Sequence, residues 1–409
     1  EPMDRLAING GTPCRQRPFP QRAPYGEEEI ELLEQAVRSQ NLFGMGGTMV
    51  PRLEQAFCEL YGVRHAAASS SGTAALHVAI GTINPSPGDE IITAPITDAG
   101  TILPIVYQNC IPVFADVDET YTLDPADVER KITARTAAIV AVHLFGNACN
   151  MEALVEVARR HGIPLVEDCS QAHATRYQGR YLGAWGDIAT FSFQQSKHMT
   201  TGDGGMTITN RDEWADRMSM FRDKGWTRQA GLARRSYLFL APNYRMTELQ
   251  GAVGLAQIRK VRTVVEQRTA LGTRLNERIN GIEGLHPVPV APGSERSFWL
   301  YPLRVDGWSA ARFAEALTAE GVPAGAGYTG EPIYLCMDAL NAGRTFGHSS
   351  HPFDGCHGAR QIAYTRGLCP RAEDALTHVV TMAMYENYTM ADVGDMAEAI
   401  HKVAALLPR

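Results

Sequence analysis

Apolar residues recur at two spacings along this chain, and from Glu90 to Thr209 the spacings alternate. Short runs rich in β-branched residues read as strands at Glu90–Ala94, Pro112–Val117, Ala137–Leu144, Pro164–Glu167, Ile188–Phe193 and Met206–Thr209. Between them, Ala99–Gln108, Pro125–Lys131 and Met151–His161 carry helical spacing. That alternation predicts an α/β domain on a mostly parallel sheet. Upstream, Glu27–Ser39 predicts a helix with Ile30, Leu33 and Val37 on one stripe, and Val50–Tyr61 a second with Leu53, Phe57 and Leu60 inward. Asn243–Arg259 opens a helix predicted to run to about Asn280, long enough to bridge two domains.

After Gly284 the texture changes. Ser297–Val305 reads as a strand, Ser309–Glu320 as a helix and Gly325–Pro332 as a Gly-rich turn. Met390–Leu407 is amphipathic, with Val393, Met396, Ile400, Val403 and Leu407 facing one way. This predicts a smaller α+β domain. The expected division is a Gly- and Pro-rich extended arm over 1–24, a large α/β domain over 25–258 and the smaller domain over 259–409.

Composition narrows the function classes. With 409 residues, two domains is the natural expectation, and 44% hydrophobic content supplies a sizeable core. The net charge of −7 and the lack of a long basic block argue against a nucleic-acid partner. No apolar run approaches the roughly 18 residues of a membrane helix. The first ten residues, EPMDRLAING, show no secretory pattern, and the eight cysteines are scattered without a CxxC. A reducing, cytoplasmic setting is expected.

The candidate chemistry gathers at predicted strand ends. Phe191–Gly205, reading FSFQQSKHMTTGDGG, delivers Lys197 from a strand into a turn of small residues. A partly desolvated lysine there can form an imine with an aldehyde. Asp168 follows its own apolar run, and lysine plus acid is the pair that a pyridoxal phosphate enzyme needs. Ser71-Gly72-Thr73, running into an apolar helix, offers backbone N–H groups and a hydroxyl to a phosphate. Asp98, His143, Asp168, Ser192 and Lys197 all fall at or just past strand ends, the edge where open α/β sheets bind ligands.

Two further segments carry charge. Residues 211–242 hold Arg222, Lys224, Arg228, Arg234 and Arg235, which read as a solvated face or as a loop over an anionic substrate. Residues 343–371 include His348, His351, Asp354, Cys356 and His357. Those types could bind zinc, but they lack a second, well-separated ligand pair. A surface or substrate-covering loop is expected there, and no metal.

The motifs SSGTAAL, VFADVD, VHLFGN, VEDCSQAH, FSFQQSKHMTTGDGG and NYRMTELQGAVGLAQI, in this order, resemble the DegT/DnrJ/EryC1/StrS aminotransferases. The likeness covers nearly the whole chain. It implies a fold-type I pyridoxal 5′-phosphate enzyme that aminates ketones on sugars or cyclitols. Lys197 would then be the imine-forming lysine, and Asp168 the partner of the pyridine nitrogen. Gln171 would contact the ring hydroxyl, and Gly72, Thr73 and Ser192 the phosphate. Asn243 would reach the phosphate from the partner subunit, so a homodimer with shared active sites is expected. The family usually places a ring-stacking aromatic where this chain has Asp98, in ITDAGT. An acid cannot stack, so Asp98 is expected to contact substrate or to leave the ring held otherwise. The family's dehydratases carry His in place of the lysine, whereas here His198 lies one position beyond it. SFQQSK resembles the branch acting on inososes, with a glutamine or glutamate donor. A nucleotide-linked keto-hexose is the alternative substrate. A dehydratase, or a cofactor-binding regulator without turnover, is the alternative of another class.

Overall fold

The computed structural model describes residues 5–409; residues 1–4 of the expected arm lie outside it. The first helices are α1 (Glu27–Arg38) and α2 (Met49–Tyr61). Strand β1 (His65–Ser69) and helix α3 (Gly72–Ile83) follow, then β2 (Glu90–Thr93), α4 (Ala99–Tyr107), β3 (Ile111–Phe114), α5 (Pro125–Lys131), β4 (Thr136–Val142), α6 (Met151–His161) and β5 (Leu165–Asp168). A two-residue hairpin, β6 (Arg176–Tyr177) and β7 (Arg180–Tyr181), precedes β8 (Ile188–Ser192), β9 (Gly205–Thr209), α7 (Asp212–Phe221) and the long α8 (Glu248–Ile279).

The large sheet has seven strands in the order β1-β9-β8-β5-β4-β2-β3. β3, β2, β4, β5 and β8 are mutually parallel, and β9 runs antiparallel to both of its neighbours. This is the mostly parallel α/β architecture that the alternation predicts. Side chains along β4 show why both faces are covered. Ala138 and Val140 pack with α3, α4 and α7, whereas Ile139 and Ala141 pack with α2, α6 and α8.

The second unit contains β10 (Leu285–Pro287), β11 (Leu300–Val305), α9 (Ala310–Ala319), β12 (Ala324–Ala326), α10 (Ile333–Cys336), α11 (Asp338–Asn341), α12 (Pro370–His378), β13 (Val379–Ala383) and α13 (Met390–Leu406). Its antiparallel sheet runs β10-β11-β13-β12. The predicted stripe of α13 is buried against it throughout. Helix α8 serves both cores: Ile258, Val261 and Val265 enter the large one, and Leu271, Leu275 and Ile279 the small one. Tyr334, Tyr364 and Ala372 do not join the small core. They pack on Phe114 and Ile102 of the large unit instead.

Two expectations need correction. In α1 the buried face is Glu29, Leu32 and Ala36, while Ile30 and Val37 are 55% and 52% exposed. The reason is a polar anchor: Glu29 accepts from Gln257 Nε2 at 2.8 Å and pairs with Lys260 at 2.5 Å, which turns its own side of the helix onto α8. Helix α8 starts at Glu248 rather than Asn243, because Thr247 and Gln250 form a reciprocal cap there. Most of the arm lies on the small unit of its own chain. There Glu320 accepts from the backbone of Ala7 and Cys14, and Arg15 pairs with Asp392 at 2.8 Å.

Candidate active site

The carboxyl ends of β5 and β8 and the N-terminus of α3 converge on one cavity of about 390 Å³. Gly72, Thr73, Asp98, Asp168, Gln171, Ser192 and Lys197 all line it. Seven of the eight residues expected at the cofactor are therefore together. The eighth, Asn243, is exposed and outside the cavity, with its Oδ1 accepting from Arg245 N at 3.3 Å.

Lys197 sits in the loop joining β8 to β9. The arm holds that loop from outside. Arg22 donates to the carbonyls of Gln195 and His198, both at 3.0 Å, and is itself paired with Glu386 at 2.8 Å. Charge-assisted donors on the carbonyls flanking Lys197 fix where its side chain starts. Burial lowers the lysine to about 8, with Asp168 and Asp98 pulling it partly back. Near neutral pH an appreciable share of this amine is thus unprotonated, as a nucleophile or base requires.

Asp168 ends β5 and is 4% exposed. Its Oδ2 accepts from Thr101 Oγ1 at 3.0 Å, and its Oδ1 from Ser170 N at 3.1 Å. The carboxylate is thereby fixed in place while still lining the cavity. Gln171 Oε1 accepts from Phe145 N at 2.7 Å, and its Nε2 donates to Tyr328 Oη at 3.1 Å. Those two bonds fix its orientation and leave one amide hydrogen uncommitted.

The α3 terminus offers N–H groups, unpaired among the described residues, that could cradle an anion. Ser71 caps the helix by accepting from Ala74 N at 3.0 Å, so the N–H groups of Gly72 and Thr73 remain for a ligand. Gly72 is required by close approach, since a Cβ there would come within 2.5 Å of Ser192 Cβ. Gly72→Ala is therefore expected to cost about 1–3 kcal/mol of stability, read as a lowered thermal unfolding midpoint. An unchanged midpoint would mean that β8 and α3 can separate freely.

Asp98 caps α4, its Oδ1 accepting from Gly100 N at 2.8 Å. His198 points away from the cavity, is buried, and bonds Ser297 O through Nε2 at 2.9 Å. His143 follows the last residue of β4, as expected, but it is fully buried and does not line the cavity. Its Nδ1 accepts from Cys149 N at 3.1 Å, and its Nε2 bonds Glu167 Oε2 at 3.0 Å. The basic segment is also largely committed elsewhere. Arg222 is buried against Glu54 and Ala68 O, and Arg228 pairs with the buried Asp223. In the His-rich segment His351 Nδ1 lies 3.4 Å from Asp354 Oδ1, away from the cavity lining.

Two lining aromatics have no counterpart among the sequence-derived candidates. Trp299 and Tyr328 come from the second unit and meet edge to face, with centroids 6.1 Å apart. Thr101, which orients Asp168, was missed as well. Trp299 falls inside the predicted strand Ser297–Val305 and Tyr328 inside the predicted turn, so the segments were visible and their roles were not.

The donor set suits a phosphorylated, aldehyde-bearing pyridine: an amine, a fixed carboxylate and an uncapped helix terminus around one cavity. Known proteins agree. The description of the DegT/DnrJ/EryC1/StrS aminotransferase family matches residues 24–341. The chain is 33% identical to the L-glutamine:2-deoxy-scyllo-inosose aminotransferase of Micromonospora echinospora, over 97% of this chain and 96% of that protein. It is 38% identical to the GDP-perosamine synthase of Caulobacter vibrioides, over 63% of this chain and 70% of that one. Among solved structures, S. venezuelae DesV in complex with a ketimine intermediate superposes with a TM-score of 0.82 at 28% identity, covering 92% of this chain and 94% of DesV. Matched through most of its length in sequence and in fold, the chain belongs to the DegT/DnrJ/EryC1/StrS family of pyridoxal phosphate-dependent aminotransferases.

Proposed function

We propose that this enzyme binds pyridoxal 5′-phosphate in the cavity and moves an amino group from glutamine to a ring ketone of a cyclitol or related sugar. The observation that carries the reading is the convergence of Lys197, Asp168 and the α3 terminus on one cavity. When bound, the cofactor supplies an electrophilic aldehyde and an electron-withdrawing ring. Lys197 Nζ would be the group that holds the cofactor's aldehyde, and as a free amine it could serve as the base for the donor's α-proton. Asp168, held by Thr101 and Ser170, would set its carboxylate toward the ring nitrogen. Gly72, Thr73 and Ser192 would hold the phosphate, and Gln171 could offer its uncommitted amide hydrogen to the ring oxygen. Asp98, exposed at the mouth and free of an ion pair among the described residues, suits a hydroxyl of a polyhydroxylated ring. Asn243, exposed and not among the residues that line its own cavity, suits a role in that of a second copy.

The similarity to the inosose aminotransferase, longer in coverage than that to the perosamine synthase, favours a carbocyclic ketone. A nucleotide-linked keto-hexose is the second reading. Purified enzyme supplied with glutamine is expected to aminate 2-deoxy-scyllo-inosose at least about tenfold more efficiently than a nucleotide-linked 4-keto-hexose, a difference of roughly 1.4 kcal/mol. Product formation followed by mass spectrometry checks it, and the reverse preference would move the assignment to the second reading.

A further inference from the structure

Lys197 has no carboxylate paired with it among the described residues, yet its Nζ is not adrift. It lies 3.8 Å from the centroid of the Trp299 indole, on the ring face. The indole is itself anchored. Its Nε1–H donates to Ser196 O at 3.1 Å and is within 3.3 Å of Ser196 Oγ, one residue before the lysine. The backbone holds the other end, with Trp299 N donating to Phe145 O at 3.2 Å and Ser297 N to Gly146 O at 3.1 Å. The residue between them, Phe298, has φ +46, a left-handed conformation that bulky residues rarely adopt. Tyr328, also left-handed at φ +51, braces the indole edge to face. Thus the second unit reaches across and sets an aromatic face against the amine on which the proposed chemistry depends.

We propose that Trp299 is a positioning residue for Lys197: its indole face holds the side-chain ammonium whenever the lysine is not covalently engaged. The proposal rests on the aminotransferase reading of the site and adds a residue to it. A lysine released from the cofactor must stay close, in one rotamer, to serve as a base. A carboxylate partner would do this at the cost of fixing the proton on nitrogen. An aromatic face attracts the cation without accepting a hydrogen bond, so it positions the amine and still lets the proton leave. The other charged groups facing Lys197 are Asp168 and Asp98, and both favour the ammonium from further away.

The test reads the lysine in cofactor-free protein, so it needs no turnover. Amine-selective labelling across a pH series, quantified at Lys197 by mass spectrometry, is expected to reach its midpoint near pH 8 in the wild type. Trp299→Leu removes the face and is expected to lower that midpoint by about one unit, because the charged form loses its attraction. Biosynthetic replacement of tryptophan by fluorinated tryptophan weakens the face without changing its shape. It is expected to give a smaller fall of the same sign, and it decides the matter alone if the leucine variant does not fold. An unchanged midpoint in the fluorinated protein overturns the proposal. A rise in the leucine variant also overturns it, since the indole would then act only by excluding water. A wild-type Lys197 that forms no borohydride-fixed adduct with pyridoxal 5′-phosphate would instead overturn the reading of the site on which the proposal rests.

Discussion

Lys197→Ala is expected to lower turnover with glutamine and a keto-cyclitol by more than about a thousandfold. It should also abolish the covalent mass that borohydride otherwise fixes on the peptide containing position 197. Both losses follow from one side chain. Among the described residues Lys197 is the only lysine that lines the cavity, with an amine brought to about 8 by burial and held against Trp299. His198 cannot take over. It is buried with its Nε2 committed to Ser297 O, and burial beside Arg268 and His173 holds it far below the ordinary histidine range. An alanine variant with near-normal turnover would place the chemistry on another group. Fold should survive, because the loop is held through the backbone carbonyls of Gln195 and His198, which the substitution leaves in place.

Asp168 separates charge from architecture. Asp168→Asn can keep the bond from Ser170 N on its Oδ1 and donate its Nδ2–H to Thr101 Oγ1, whose own hydrogen turns to Thr97 Oγ1, but it carries no charge. It is expected to lower turnover by about 10²–10³-fold while leaving the thermal midpoint nearly unchanged and the borohydride adduct on Lys197 intact. Asp168→Ala should lose the same rate and, in addition, about 1–2 kcal/mol of stability, because the buried Thr101 hydroxyl loses an acceptor. An asparagine variant at full speed would show that the negative charge beside the ring nitrogen is dispensable. The pair of variants is informative because the two roles of the carboxylate, holding α4 and polarising a ligand, fail separately.

The alternation of short apolar runs and amphipathic helices made the large sheet legible. Helices α5 and α6 appear with the bounds their patterns predict, because Asp124 and Asn150 cap them on side-chain oxygens. β1 was not legible. His65–Ser69 reads HAAAS, a run without the β-branched bulk that marks strands, and it becomes one only because β9 supplies antiparallel partners along its length. The short edge strands β10 and β12 have three residues each and no period to read. In α1 Ile30 and Val37 of the predicted stripe point outward, whereas Leu32 faces the core. A stripe in sequence shows which side chains share a face, not which face meets the core.

The site divides the same way. Lys197, Asp168 and the Gly72 turn stand on strand or helix ends whose patterns are local, so the sequence places them on one edge. Trp299 and Tyr328 are set by left-handed backbone at Phe298 and Tyr328 and by contacts across more than a hundred residues. No local pattern carries that. The departure at Asp98 pointed to a gap in the family's usual aromatic contact, and the structure puts these two aromatics in the same cavity.

Helix α8 has 32 residues, a rod of about 48 Å, with one half seated in each core. Neither half can fray without exposing apolar surface that the other needs covered. Heating should therefore melt the two units in a single cooperative transition rather than in sequence, and damage to the smaller one will weaken the catalytic one through a shared spine.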